Sequence, residues 1–322
     1  MPWLLPRFLS TPAPRGASST RALWLGLLLC GLGLVPLASH SAECRLVAAE
    51  KTDASKRQDF TRGLLWKIET PGSAASYLFG TYHTSDPRIT TLPCPVQDAF
   101  DRSASYTMEV IANGAGIVSM AQAMFFSDGQ TLKAVLGEPL YQETLRAIGN
   151  TGTAGGIDNM KPWAVMMMLS TPRETRGLFL DMALQLAATR QGKPTYGLET
   201  MQEQIAVFNG MSLDDQIALL RDTVQNHQLI QSAMEDLTQA YLKRDLGALL
   251  ALSEKFKPSD ARIYDAMMDR LLTQRNANMA ERMQVRLKEG GAFIAVGALH
   301  LPGKTGLLRL LANSGYRITR VY

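Results

Sequence analysis

Residues 293–311 read FIAVGALHLPGKTGLLRLL, and this stretch sets the fold of the chain. An apolar run typical of a buried strand comes first, a glycine-containing turn follows, and an amphipathic helix ends the stretch. The order of parts matches a nucleotide-binding loop, which needs four residues between its glycine and Gly-Lys-Thr. Here five residues separate Gly297 from Gly303, and one of them, Pro302, has no backbone N–H to offer a phosphate. The stretch therefore predicts a strand, a turn that carries His300 and a helix, without a nucleotide site.

Further apolar, β-prone runs lie on both sides of this unit. The predicted strands cover residues 64–69, 76–80, 105–111, 194–198, 292–298 and 316–321. Predicted helices cover 95–100 and 304–313, and apolar residues recur at helical spacing from about 117 to 289. Within that helical region, the methionines at 166–168 are predicted to fill the core. Strands that alternate with helices predict an α/β protein, with a central mixed β-sheet flanked by helices and a large helical insertion.

The first 42 residues have the layout of a secretory signal. Three arginines precede an apolar run at 22–37, small residues follow that run, and no acidic residue comes before Glu43. The run is shorter than the about 20 residues that a membrane-spanning helix needs, so an uncleaved anchor is the less favoured alternative. We expect an exported chain, periplasmic or secreted, with no membrane span after cleavage. An exposed lead-in at 43–59 would connect the signal to a domain at 60–322.

The mature chain is nearly neutral and holds two cysteines. The full sequence has 33 Lys and Arg against 29 Asp and Glu, and three of the arginines lie in the signal segment. No basic surface that would recruit nucleic acid is therefore expected. Cys44 and Cys94 are the cysteines that remain. In an oxidising compartment they are expected to form a disulfide.

Four polar side chains follow the predicted strands. His83 follows the second strand, Glu109 lies near the end of the third, and Glu199 and His300 follow the fourth and fifth. In an open α/β sheet, ligands bind at the carboxyl ends of the strands, where distant parts of the sequence meet. Two imidazoles and two carboxylates at such an edge can bind Zn, Mn or Co. The same groups can also act as general acid and base without a metal.

A Gly-x-x-His motif occurs twice among these residues. Gly80 and Gly297 each precede a histidine by three residues at the end of a predicted strand. Glycine allows the backbone to turn or to approach a neighbour closely, while the histidine faces the crevice. One such motif is a weak signal, but two in similar contexts are stronger. The remaining histidine of the mature chain, His227, lies in a polar helical stretch and is predicted to be exposed to solvent.

Three segments carry a resemblance to a known family. They read GTYHTSDPRITTLP at 80–93, YGLETMQEQ at 196–204 and VGALHLPGKTGLLRLLANSGY at 296–316. Together they resemble the TraB/GumN family, which is related to the Tiki metalloproteases and more distantly to the erythromycin esterases. The resemblance covers residues 60–322. It implies an α/β sheet that bears a helical insertion.

The resemblance also implies a set of site residues. The family pattern combines the paired Gly-x-x-His motifs with an acidic residue after a strand, matched by Glu109, and with an Arg-Asn pair, matched by Arg275 and Asn276. The characterised Tiki members are divalent-metal-dependent peptidases. The resemblance therefore implies a divalent metal, Mn, Co or Zn, with His83 and His300 as ligands. It also implies a peptide or protein substrate.

The leading hypothesis is an exported metal-dependent hydrolase of the peptidase kind. One of Glu109 and Glu199 would complete the metal site, and the other would accept the proton of the attacking water. Arg275 would stabilise the developing oxyanion. Two alternatives stay open. One is an esterase-like hydrolase that uses histidine as a base without metal, and the other is an exported binding or inhibitory protein without catalysis.

Overall fold

A six-stranded mixed sheet forms the centre of the protein. In chain order, its strands are β1 (Leu65–Glu69), β2 (Ser76–Thr81), β3 (Ser105–Met108), β4 (Thr195–Gly197), β5 (Ala292–Gly297) and β6 (Arg317–Arg320). Across the sheet the order is β4-β3-β5-β2-β1-β6. Strands β4, β3, β5 and β2 are parallel neighbours, whereas β1 is antiparallel to both β2 and β6. The predicted α/β class and all six predicted strands are confirmed.

Helices connect the strands. Those before β3 are α1 (Pro87–Thr90) and α2 (Cys94–Arg102), and α13 (Leu307–Asn313) joins β5 to β6. Between β3 and β5 the chain forms α3 (Gly114–Ala123), α4 (Leu132–Ile148), α5 (Pro162–Leu169), α6 (Leu180–Arg190), α7 (Met201–Asn209), α8 (Leu213–Gln225), α9 (His227–Leu242), α10 (Leu246–Lys255), α11 (Ala261–Met268) and α12 (Gln274–Glu289). Only β4 interrupts this series among the described residues. The helices thus occupy the region in which the sequence predicts a helical insertion.

The computed structural model describes residues 60–111, 113–149, 156–171, 177–255 and 260–322. The predicted signal segment, the lead-in and Cys44 lie outside these ranges and stay predictions. Cys94, the first residue of α2, is disulfide-bonded. In the described part of the chain, no helix combines the length and the apolar character needed to cross a membrane.

Strand β5 lies at the centre of the core. Residues 292–296 have no exposed surface, as expected for a parallel strand that is covered on both faces. The Phe293 ring packs against Phe79, Phe100 and Tyr106, with ring centroids 5.8, 5.3 and 6.4 Å away. This packing fixes the strand whose carboxyl end leads into the second Gly-x-x-His motif.

His227 differs from its prediction. It begins α9 and is buried, although its neighbours Gln225 and Gln228 are exposed. The residue lies at the junction of α8 and α9, where the chain changes direction, so the face of a single continuous helix does not determine its burial. Together with Glu143 and Arg146 it lines a cavity away from the sheet edge. His227 is therefore unsuitable as a solvent-exposed control in mutagenesis.

Candidate active site

The two Gly-x-x-His motifs lie side by side because β2 and β5 are parallel neighbours. In their register, Gly80 pairs with Val296 and Thr81 pairs with Gly297. Each strand ends at the same edge of the sheet, so both histidines are delivered there. After β5, the residues Ala298–His300 form a short 3₁₀ turn. The prediction that the two motifs meet at one sheet edge is thus met by the strand register.

Gly80 makes room for the turn that carries His300. A Cβ atom at this position would lie 2.7 Å from Leu301 Cδ1 and 3.1 Å from Ala298 Cα. The Leu301 side chain can move, but the backbone of Ala298 belongs to the 3₁₀ turn itself. The glycine of the first motif therefore sets the position of the histidine in the second motif.

We expect the substitution Gly80→Ala to lower the free energy of unfolding by about 1 to 3 kcal/mol, the usual cost of overpacking a filled core. Chemical denaturation measures this loss. Gly114→Ala is the matched control, because a Cβ there would meet no atom within 4 Å. Equal stability of the two variants would show that the contact at Gly80 is unimportant.

Gly297 positions Glu109. Its N–H donates a hydrogen bond of 2.6 Å to Glu109 Oε1, and an added Cβ would lie 3.3 Å from the same oxygen. The glycine of the second motif thus lets the carboxylate approach the backbone at the end of β5. Each motif glycine therefore supports a different part of the site.

Arg275 joins the two predicted carboxylates. Its Nη2 donates to Glu109 Oε2 at 2.6 Å and to Glu199 Oε2 at 2.7 Å, and its Nε lies 3.0 and 3.1 Å from the two oxygens of Glu199. The remaining nitrogen, Nη1, donates to the Leu271 carbonyl oxygen at 3.3 Å. All three guanidinium nitrogens are therefore engaged. Arg275 would have to exchange one of these bonds in order to stabilise an oxyanion.

Only one of the two glutamates faces the cavity at this edge. Glu109 lines the cavity, whereas Glu199 does not and is buried behind Arg275. Burial alone would raise the pKa of Glu109, but His300, Arg275, His83 and the Gly297 N–H lower that pKa to about 2. Glu109 is therefore a carboxylate at neutral pH, with one oxygen held by Arg275 and the other held by Gly297.

A π-helical turn precedes the Arg-Asn pair. Residues Asp269–Thr273 form this turn between α11 and α12, and Gln274 N–H bonds to the Asp269 carbonyl, five residues back. Such turns often occur at functional sites, because they insert an extra residue into a helix. Here the turn carries Leu271, whose carbonyl oxygen accepts from Arg275. Arg275 and Asn276 then follow in the first turn of α12, both directed at the sheet edge.

Asn276 fixes the tautomer of His300. Its Nδ2 donates to the Thr305 carbonyl oxygen at 2.9 Å, which can only accept a hydrogen bond. The amide oxygen Oδ1 is therefore the atom that lies 2.6 Å from His300 Nδ1, so Nδ1 carries the proton. Burial lowers the pKa of His300 to about 4, and the ring is neutral at pH 7. In that state His300 Nε2 bears a lone pair.

This lone pair faces the Glu109 carboxylate. His300 Nε2 lies 3.6 Å from Glu109 Oε1, too far for a hydrogen bond and with no proton on either atom. Two ligands of a tetrahedral metal, each about 2.1 Å from it, lie about 3.4 Å apart. The spacing and the facing lone pairs fit a cation bound between these two atoms.

His83 lies on the exposed side of the same cavity. Its side chain is 64% exposed, and its Nε2 lies 3.5 Å from Asp181 Oδ2. His83 also contributes to the lowered pKa values of Glu109 and His300, so its ring lies in their electrostatic neighbourhood. The two histidines therefore share one edge of the sheet and are not separated across it.

The donors match a divalent metal in kind, but they are not assembled into a complete set. In the described part of the chain, no three His, Cys, Asp or Glu side chains are close enough together to hold a metal as they are placed. His300 and Glu109 form one suitable pair. The His83 side chain must rotate toward this pair to become a third ligand, and its exposure leaves room for that movement.

A cavity of about 530 Å³ opens from these polar groups into the helical region. Its wall is apolar and includes Met120 of α3, Met167 of α5, Val207 and Phe208 of α7, Leu237 of α9 and Leu271 of the π-helical turn. Met166 is buried as predicted, but Met167 lines the cavity and is 37% exposed. The insertion thus supplies one apolar side of a site whose polar side is the sheet edge.

Sequence reasoning missed two residues of this site. Asp181, in the first turn of α6, lines the cavity, and Gln204 of α7 has its Nε2 3.3 Å from Glu109 Oε2 and 3.4 Å from Glu199 Oε2. The signal for Asp181 was an acidic residue inside the apolar stretch LFLDMAL, since a buried carboxylate needs a partner. Gln204 ends the quoted segment YGLETMQEQ, but its spacing alone did not indicate a contact with Glu109.

The sequence profile of the TraB/PrgY/gumN family matches residues 64–320 of this chain. The matched region contains both Gly-x-x-His motifs, Glu109, Asp181, Glu199 and the Arg-Asn pair of α12. The chain belongs to the TraB/PrgY/GumN family.

The chain is also similar to several curated metalloproteases. The metalloprotease TIKI2 of Danio rerio is 24% identical in an alignment of 352 residues, gaps included. The alignment covers 90% of this chain and 68% of TIKI2. TIKI2 of Xenopus tropicalis is 25% identical over 320 residues, covering 82% of this chain and 60% of that protein. The metalloprotease TIKI1 of Homo sapiens is 23% identical over 350 residues, and the alignment covers 92% of this chain and 69% of TIKI1. No solved structure matches the chain significantly.

Proposed function

We propose that this protein is an exported metal-dependent hydrolase that cleaves peptide or protein substrates. The observation that carries this proposal is the pair formed by His300 and Glu109, whose unprotonated atoms face each other 3.6 Å apart at the sheet edge. A cation between them would remove the repulsion of two lone pairs. The distant similarity to proteins named metalloproteases supports the same chemistry.

In this proposal, the residues that hold the metal are His300, Glu109 and, after rotation of its side chain, His83. A bound divalent metal would lower the pKa of a water molecule and polarise a substrate carbonyl. Glu109 suits the role of ligand better than that of base, because its Oε1 faces the unprotonated Nε2 of His300 while Arg275 holds its Oε2.

Glu199 has a supporting role in this proposal. Arg275 binds both oxygens of Glu199, and Glu199 does not line the cavity. Its charge balances Arg275 and keeps the guanidinium against Glu109. Asn276 acts in a similar way on His300, since it holds the ring in the tautomer that presents Nε2.

The apolar wall of the cavity sets the kind of substrate. Side chains such as Met167, Phe208 and Leu271 offer no charged partner, so the cavity binds an apolar side chain of a peptide next to the bond to be cleaved. The flexible methionines allow side chains of different shape to fit.

Metal analysis and peptidase assays of the purified mature chain test the proposal. We expect bound or activating Mn, Co or Zn, and cleavage of peptides that is lost with a chelator and restored by metal. Glu109→Gln is expected to lose this activity, whereas Glu138→Gln, at an exposed ion pair, is expected to retain it. Hydrolysis that survives complete metal removal would favour the esterase-like alternative. Absence of both metal and hydrolysis would favour the binding protein.

A further inference from the structure

A buried carboxylate outside the predicted set lies beside His83. Asp181 is 8% exposed, and its Oδ1 accepts a hydrogen bond of 2.6 Å from Thr81 Oγ1. Its other oxygen, Oδ2, is fully buried and accepts no hydrogen bond from a described residue. Burying an acceptor without a donor costs free energy, because the atom loses its hydrogen bonds to water, so such an atom calls for a function or a partner. His83 Nε2 is 3.5 Å from this oxygen.

The surroundings of Asp181 fix its orientation. It lies in the first turn of α6, where the helix dipole favours a negative charge. Thr81 ends β2, two residues before His83, so the hydroxyl that holds Asp181 and the histidine that faces it come from the same strand end. The carboxylate therefore keeps a defined position relative to His83.

The other histidine also has a polar residue beside one ring nitrogen, at a shorter distance. His300 Nδ1 is bound by Asn276 Oδ1, and Asn276 is itself anchored on the Thr305 carbonyl. His83 has Asp181 beside Nε2, and Asp181 is itself anchored on the Thr81 hydroxyl. In metal sites, the ring nitrogen that does not bind the metal usually donates to a carboxylate or a carbonyl oxygen, which orients the ring and increases its basicity.

We propose that Asp181 is the positioning residue of His83: when the ring turns toward His300 and Glu109, Asp181 accepts the proton of Nε2 and leaves Nδ1 to bind the metal. The two histidines then use opposite tautomers, since His300 carries its proton on Nδ1 and offers Nε2. The metal part of this inference rests on the proposed function. The contact between Asp181 and His83 does not, and it can be measured without metal.

The first test is a calorimetric titration of the metal-free full-length mature protein with Mn²⁺ and Co²⁺. Loss of an outer partner of a ligating histidine typically weakens metal binding 10- to 100-fold, so we expect about that loss for Asp181→Asn. Thr81→Val removes the hydroxyl that anchors Asp181 and is expected to weaken metal binding less than Asp181→Asn does. Thr81→Ser keeps the hydroxyl and is expected to bind metal as tightly as the parent. Asp214→Asn is the matched control, since Asp214 is exposed at the start of α8.

Affinity of Asp181→Asn equal to that of the parent would overturn the inference. The inference would also be overturned if Asp181→Asn bound metal more weakly than the parent but Thr81→Val did not. The hydrogen bond that anchors Asp181 would then be irrelevant to metal binding. The free energy of unfolding of each variant is measured alongside, so that a loss of metal through unfolding is recognised.

The second test distinguishes failure of the inference from failure of the proposed function. If the parent binds no metal, the proposed function fails, but nitrogen-15 NMR of the metal-free protein still tests Asp181. We expect the neutral His83 ring of the parent to carry its proton on Nε2, the nitrogen beside Asp181 Oδ2, and the Nε2-protonated fraction to fall in Asp181→Ala. A parent whose His83 carries its proton on Nδ1, or whose Nε2-protonated fraction equals that of Asp181→Ala, would overturn the assignment. The nitrogen-15 signals that disappear in the variant His83→Gln are assigned to the His83 ring.

Discussion

Replacing Arg275 by methionine is expected to lower the free energy of unfolding by about 3 to 5 kcal/mol. Removing one member of a buried ion pair leaves an uncompensated buried charge, and losses of this size are typical. Here the variant would leave two carboxylates, Glu109 and Glu199, without the guanidinium that lies between them. Urea denaturation at neutral pH measures the change.

Two further variants make this prediction specific. The double variant Arg275→Met with Glu199→Gln is expected to recover part of the lost stability, because it also removes one unpaired charge. Arg262→Met is the control: Arg262 pairs with Asp215 and Asp260 on the surface, with 68% of its side chain exposed, and such pairs contribute about 1 kcal/mol or less. A similar loss for Arg262→Met and Arg275→Met would mean that the cluster adds no stability of its own.

Replacing either His83 or His300 by alanine is expected to weaken metal binding more than about 100-fold, since even outer partners of a ligand contribute 10- to 100-fold. Peptidase activity should fall with it. The double variant should be little worse than either single variant, because groups that act as a unit are not additive. Metal content and peptide cleavage are the measurements.

Exposure separates this outcome from a purely structural role. The His83 side chain is 64% exposed and that of His300 only 6%, so a structural role would affect stability strongly at His300 and little at His83. The shared site would be supported if His83→Ala and His300→Ala lost bound metal equally but differed in the free energy of unfolding. Lys304→Ala, in the exposed turn after His300, serves as the control in place of the buried His227. Unchanged metal affinity in His83→Ala would contradict the shared site.

The sheet and its glycines were accessible to sequence reasoning because strand patterns are local. The apolar runs identified all six strands, and the parallel pairing of two of them was enough to bring both Gly-x-x-His motifs to one edge. Gly80 and Gly297 followed from the same pattern. Their separate contacts, with Ala298 and with Glu109, depend on the distance between neighbouring strands, which the sequence does not state.

Residues on the inserted helices were harder to predict, because the direction of each helix relative to the sheet decides what its side chains reach. Asp181 enters the cavity from α6, and His227 is buried where two helices meet. Glu199 follows β4 at this edge of the sheet, but its bidentate contact with Arg275 turns it away from the cavity. Patterns of polarity within one helix contain no information on these orientations.

The π-helical turn makes the candidate site sensitive to the length of the chain as well as to its chemistry. A π-helical turn holds one residue more than the α-helical turn that it replaces. Deleting Leu272 from Asp269–Thr273 would let the helix close into regular α-helical turns and would bring Leu271, whose carbonyl oxygen accepts from Arg275 Nη1, one residue nearer to Arg275 along the chain. No charged side chain would be lost, yet the backbone acceptor that holds Nη1 of the guanidinium would be displaced.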